Sequence, residues 1–273
     1  MAQSSRPTAA GPLRRHEHAK AALPLLPTLP SLVTDKMVRY ARDDHVSVIT
    51  LDREPVNAYD GAFHAEFQHA WQRARDDDSR VVVMQAHGKH FCVGANLRNP
   101  EPAPPDATVL APWDEMRLIQ SVRKPTIAAV QGGCIGGGQR MVWPCDLVFC
   151  TEDAFFMDPT ATMGIGGIQS HLHTWFYGAR LAKEMIYSGM RLPAPRLYAM
   201  GQVNRLYSDA DTLRAEALAF AHEIAKQDPA PLRQAKYASD ITMDIMGRHY
   251  VTSRTEELLD VMPPMQLRMP DDH

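Results

Sequence analysis

The chain has 273 residues, 45% of them hydrophobic, and a net charge of −3, enough to bury the core of one large domain or of one domain with a small appendage. Acidic and basic residues are interleaved, so composition favours neither a nucleic-acid-binding face nor an anionic-membrane surface. No apolar run approaches the roughly 18 residues of a membrane span. The four cysteines (Cys92, Cys134, Cys145, Cys150) lack CxxC spacing and read as buried free thiols in a cytoplasmic protein.

Residues 1–35 are rich in Pro, Ala, Arg and Ser and read as a disordered extension or partner arm. They are too discontinuous in hydrophobicity for a secretory signal. Their composition leaves an organelle-type targeting peptide open, while repeated prolines argue against one amphipathic helix. Met37 to Ala41 and Val46 to Leu51 alternate as strands around the charged turn Arg42-Asp43-Asp44-His45. Asp60 is placed to cap a helix running to about Asp76, with Phe63, Phe67, Ala70, Trp71 and Ala74 at helical spacing. Val81 to Ala86 is a continuous apolar run, the pattern of a strand covered on both faces.

The proline-rich segment Asn99 to Ala111 reads as a surface loop, followed by a short helix from Trp113 to Val122. Thr126 to Val130 and Leu147 to Cys150 read as strands. Helices are expected over Arg180 to Ser188, Pro195 to Met200, Asp209 to Gln227, and Pro229 to about Gly247, with Asp209 and Asp228 as N-caps. Strands alternating with helices, then helices alone, give an α/β expectation: a parallel-sheet core over 36–205 and a helical region over 206–273.

Chemistry concentrates at Gly136-Gly137-Gly138-Gln139-Arg140. A strand-like run enters this glycine-dense turn and helix-compatible residues leave it. Glycine lets backbone approach a ligand closely, and the first amides of a helix are unpaired donors of partial positive charge. A carbonyl oxygen turning into an oxyanion can be held in such a place. The glycine block KPTIAAVQGGCIGGGQ stands among other ordered blocks: ITLDREPVNAYD, VVVMQAHGKHFCVGANL, CDLVFCTEDAFF and YGARLAKEMIYSGMRLPAPRLYAMGQVNRLY. Together, from Met37 to Val261, they resemble the crotonase (enoyl-CoA hydratase/isomerase) superfamily.

The resemblance implies a spiral of repeated ββα units whose C-terminal helices help build a homotrimer or a hexamer of paired trimers. It implies an acyl-CoA substrate and a place in fatty-acid metabolism, the acyl group staying open between a fatty acid, a sterol fragment and an aromatic acid. Coenzyme A would enter as part of the thioester, with no separate cofactor and no metal. The thioester carbonyl would sit between the backbone amides of Ala95 and Gly137, and fixed dipoles stabilise an enolate-like oxygen without reorganising. Contact with the substrate or its CoA moiety is implied for Asn57, Ala58, Ala95, Asn96, Leu97, Arg98, Gly137 and Thr160. An ordinary strand-to-helix turn at Asn57-Ala58 and a solvated Arg98 are the plainer readings.

The side chains depart from the family pattern. Hydratases carry a glutamate where this chain has Arg140 and a second where it has Thr160. A further carboxylate, used by dienoyl-CoA isomerases, falls at Ile168. Two carboxylates let water be deprotonated on one side while a carbon is protonated, so literal hydration is not expected. Replacement acid–base groups are Asp158, His171 and His173; a turn-shaping Asp before Pro and packed helix histidines are the plainer readings. Arg140 suits a substrate carboxylate or carbonyl, or pairing with Asp158.

The His-x-His spacing has no fixed partner for a metal. The aromatic and Met-rich residues from Trp143 to Tyr177 read as core that partly lines an acyl cavity. Three outcomes follow: an enolate-forming lyase or isomerase, a hydrolase of thioester or carbon–carbon bonds using His171, His173 or Asp158, or an acyl-CoA-binding protein without turnover.

Overall fold

The computed structural model describes residues 36–165 and 170–248, excluding the side chains of 170 and 171. The expected N-terminal arm, Ile168 and the His171 side chain lie outside the described residues. β1 (Val38–Asp43) and β2 (Val46–Leu51) form an antiparallel hairpin whose turn places Asp44 at φ 51°. β2 then pairs in parallel with β3 (Val81–Ala86), Val46 opposite Val81 and Leu51 opposite Ala86. β4 (Thr126–Val130), β6 (Leu147–Thr151) and β9 (Arg205–Tyr207) continue the parallel sheet, in the order β1-β2-β3-β4-β6-β9.

A smaller sheet lies apart from it. β5 (Gly133–Ile135) runs parallel to β7 (Phe155–Met157), which pairs antiparallel with β8 (Leu192–Pro193).

Alternation along β3 assigns the two faces. Val82 and Met84 join the larger core with Phe63, Phe67 and Trp71 of α1 (Gly61–Asp76) and Leu118 and Ile119 of α2 (Pro112–Ser121). Val81 and Val83 face the other way, onto Leu213, Ala217, Ala221 and Ala225 of α7 (Ala210–Ala225). Burial on both faces is why this strand reads as one apolar run. The small alanines let α7 lie close to the sheet. The boundary expected between 205 and 206 therefore falls inside β9, and α7 packs as part of the sheet's core.

The remaining helices are α3 (Gln139–Val142), α4 (Ser170–Tyr177), α5 (Ala179–Ser188), α6 (Ala194–Ala199) and α8 (Pro229–Ile245). Asp60, Asp209 and Asp228 each accept a backbone N–H as N-caps of α1, α7 and α8, as their side-chain chemistry dictates. No described helix is long and apolar enough to cross a membrane.

Candidate active site

The site begins in the loop after β2. Asn57 adopts φ 54°, a left-handed conformation that Asn tolerates better than most residues. Its buried side chain donates to the carbonyls of His87 (2.9 Å) and His90 (3.0 Å) and accepts from the Arg53 amide (2.7 Å). The loop is thereby fastened to the exit of β3. Asp60, paired with Arg53 at 2.6 Å, also accepts from the Glu101 amide and from the Asn96 side chain. Burial opposes ionisation of Asp60, but these donors outweigh it and hold its carboxyl below the ordinary value. Asn57 and Asn96 thus shape the backbone beside the site, while Leu97 and Arg98 are exposed.

Tyr59 donates its amide to the Gly94 carbonyl (2.9 Å) and accepts from the Asn96 amide (2.7 Å), a parallel bridge onto Ala95. In such a bridge the straddled residue turns its own N–H the other way, so the exposed Ala95 presents its amide away from Tyr59. Gly94, at φ 92°, needs to be glycine: a Cβ there would stand 3.2 Å from the Ile135 carbonyl oxygen and 3.9 Å from the Gly137 nitrogen.

That second distance brings the 94–95 bend and the glycine triplet side by side. β5 is pinned there, since Ile135 donates to the Cys92 carbonyl (2.9 Å) and Cys92 donates to that of Gly133 (3.2 Å). Gly136–Gly138 forms a 3-10 turn that passes directly into α3, leaving the first amides without intrahelical acceptors. A Cβ on Gly137 would come 1.9 Å from the Tyr59 hydroxyl and 2.9 Å from Arg140 Nη2. Phenol and guanidinium therefore stand over this glycine.

Arg140 is 7% exposed, and its Nη2 donates to the Tyr59 hydroxyl at 3.0 Å. The expected alternative of an Arg140–Asp158 pair is not what forms. Asp158 instead faces His173 Nε2 at 3.2 Å and accepts from the amide (2.9 Å) and hydroxyl (2.6 Å) of Thr160. Burial alone would raise the Asp158 pKa, but His173 and Thr160 outweigh it and hold it below the ordinary value.

His173 is buried and also lies 3.3 Å from Gln139 Nε2, which donates to the Met157 carbonyl. Tyr177 donates to Gln139 Oε1 at 2.7 Å and accepts from Trp143. The network thus fastens α4 beneath α3. Trp143 stacks on Phe176 at 5.4 Å between ring centroids, and Phe149 and Phe156 are buried, as the core reading of these aromatics expects.

Two features lay beyond sequence reasoning. Tyr59 had no assigned role, because its place over Gly137 depends on the bridge to Ala95. A second carboxylate–imidazole pair joins the buried Glu115 to the half-buried His64 Nδ1 at 2.6 Å, with Gln68 donating to the same oxygen, and the His64 ring lies 4.7 Å from that of Tyr59. A cleft of about 690 Å³, lined by Asp77, Arg80, Lys124 and Arg233, includes no residue of either bend. Burial pushes the Cys92 thiol up to about 12, which removes it as a nucleophile near neutrality. Among the described residues no group of three or more His, Cys, Asp or Glu could hold a metal ion.

Residues 41–261 match the family model described as Enoyl-CoA hydratase/isomerase. The chain belongs to the enoyl-CoA hydratase/isomerase family. Mouse mitochondrial Delta(3,5)-Delta(2,4)-dienoyl-CoA isomerase is 31% identical over 224 residues, covering 73% of this chain and 68% of that protein. The putative enoyl-CoA hydratase EchA13 of Mycobacterium tuberculosis is 29% identical over 233 residues, 75% of this chain and 73% of the relative. A crystal structure of a probable enoyl-CoA hydratase from Mycobacterium thermoresistibile superposes with a TM-score of 0.71 at 38% identity, covering 82% of this chain and 94% of that one. The α/β crotonase fold expected from the sequence is the fold of the molecule, and an acyl-CoA-binding enzyme of this family is the function class it carries.

Proposed function

We propose that the protein binds an acyl-CoA thioester, polarises its carbonyl with the Ala95 and Gly137 amides, and stabilises the enolate formed when the neighbouring carbon gives its proton to the carboxylate of Asp158, which His173 and Thr160 orient. The observation that carries this reading is the contact between bends: a Cβ at Gly94 would lie 3.9 Å from the Gly137 nitrogen. Tyr59 and Arg140 stand over Gly137, which puts a phenol donor and a fixed cation beside the bound acyl group. Burial raises the Tyr59 pKa against the opposing pull of Arg140, so the phenol stays protonated and able to donate.

Literal hydration is not part of the proposal. Its two carboxylate stations hold Arg140 and Thr160, and the neighbouring Asp158, bonded to Thr160 and His173, is one carboxylate where hydration uses two. The mouse relative is named as an isomerase, and proton transfer through an enolate is the chemistry that this proposal shares with an isomerisation.

The test incubates the protein with saturated acyl-CoA thioesters in D2O and follows deuterium at the α-carbon by mass spectrometry. Enolate formation is expected to exchange the α-protons while the thioester survives. Release of free CoA would replace the reading with hydrolysis. Bound acyl-CoA without exchange would make the protein a binder, and absence of binding across the acyl panel would overturn the proposal altogether.

A further inference from the structure

Among the described residues Arg140 is a buried cation without a counter-ion. It is 7% exposed, its Nε is buried with no hydrogen-bond partner, and among the described residues it makes no ion pair. Its hydrogen bond is to a neutral acceptor, the Tyr59 hydroxyl at 3.0 Å. The guanidinium carbon stands 5.6 Å from the Tyr59 ring centroid, a partial compensation at most. Carboxylates in the region are engaged elsewhere: Asp158 with His173 and Thr160, and Glu115 with His64 and Gln68. Withdrawing a guanidinium from water without a paired anion is costly, and buried charges in stable proteins are ordinarily paired.

From this we infer that the missing anion arrives with the ligand. The acyl group would carry a carboxylate of its own, making the preferred thioesters short dicarboxylic acyl-CoAs. This inference rests on the acyl-CoA reading above and narrows it to a substrate class. The geometry defines the reach. Arg140 Nη2 and the Tyr59 hydroxyl crowd the Cβ position of Gly137, at 2.9 and 1.9 Å, so an anion held by them lies near the thioester end of the acyl chain.

The chemistry of the pair fits a carboxylate. Nε–H and an Nη–H of one guanidinium form the planar fork that a carboxylate accepts in two parallel bonds. The Tyr59 hydroxyl already accepts from Arg140, which frees its own proton for donation to the same ligand. A glutamate at position 140 would repel such a ligand, and the Arg inverts that preference.

The experiment is calorimetric titration of the whole chain with chain-length-matched pairs: malonyl- against propionyl-CoA, succinyl- against butyryl-CoA, and glutaryl- against valeryl-CoA. At least one carboxylated member is expected to bind about 10- to 100-fold more tightly than its neutral match, the range of a charge-assisted hydrogen-bonded contact. Arg140→Met is expected to bring that ratio near one. Arg140→Lys, which keeps charge and loses the fork, should retain part of it, and Tyr59→Phe should lower it without abolishing it.

Equal affinities within every pair in the wild-type protein would overturn the inference while leaving the acyl-CoA reading standing. So would a ratio unchanged in Arg140→Met. Absence of binding for both series would remove the acyl-CoA reading and this inference with it. The wild-type comparison needs no variant to fold.

Discussion

Gly137 is not held as glycine by its backbone angles but by what stands over it. A Cβ there would overlap the Tyr59 hydroxyl at 1.9 Å, so Gly137→Ala must displace Tyr59 and the guanidinium bonded to it. α-Proton exchange of a bound acyl-CoA is expected to fall about 100-fold, the cost of a misplaced group at a reacting centre. The thermal midpoint should fall as well, because Tyr59 packs against the larger core and overpacking costs about 1–3 kcal/mol. Unchanged exchange would remove Tyr59 and Gly137 from the site together.

Asn57 works in the opposite way, through the backbone it gathers. Asn57→Gly keeps the left-handed conformation and loses the bonds to Arg53, His87 and His90. It should cost about 1–3 kcal/mol in urea unfolding and open the loop to proteolysis. At this scale the sequence disclosed what was absent, Arg140 and Thr160 standing where glutamates are usual. It did not disclose Tyr59, whose partner Ala95 is distant in the chain and meets it through one backbone bridge.

Among the elements, Asp77 links more parts than any periodicity suggests. It follows the last residue of α1, accepts from Lys124 at 2.6 Å, Ser47 at 2.6 Å and the Ser79 amide at 2.8 Å, and also bonds Tyr40. Burial would raise its pKa, but these donors outweigh burial and hold it well below the ordinary 3.8. A depressed carboxylate contributes stability that is complete above its unfolded value and lost as pH falls through the folded one. Asp77→Asn should therefore destabilise by about 2–3 kcal/mol near neutrality. Its deficit relative to wild type should shrink as unfolding is followed from pH 5 downward past about pH 4. A deficit constant with pH would assign the effect to lost packing.

Long elements were legible because their patterns repeat. Val46–Leu51, Val81–Ala86 and Thr126–Val130 stand as read, and Gly61–Asp76 starts behind the expected cap. Gly133–Ile135, Phe155–Met157, Leu192–Pro193 and Arg205–Tyr207 were missed. Segments this short show no periodicity and exist because a neighbouring strand offers hydrogen bonds.

At the scale of the molecule the two C-terminal helices part company. α7 buries Leu213 and its alanines on the sheet, so its residues belong to the core despite following the expected boundary. α8 buries no residue. It is tied back through Lys236, which donates to Asp146 at 2.7 Å and to the Lys124 carbonyl at 3.0 Å. Meanwhile Tyr237, Ile241, Ile245 and Met246 are exposed, Ile245 at 80%. A helix with an apolar outer stripe is expected to be covered in solution, and the trimer or hexamer implied by the sequence resemblance would supply that cover. Sedimentation velocity should give a mass several times that of one chain at micromolar concentration. Ile241→Glu combined with Ile245→Glu should shift the protein towards monomer, because charges placed in an apolar contact are desolvated without partners. Their effect on the monomer's own stability should stay within about 0.5 kcal/mol, as for surface substitutions generally. A wild-type chain that sediments as a monomer at every concentration would show that α8 carries its apolar stripe in water, and would leave the site to be completed by one chain.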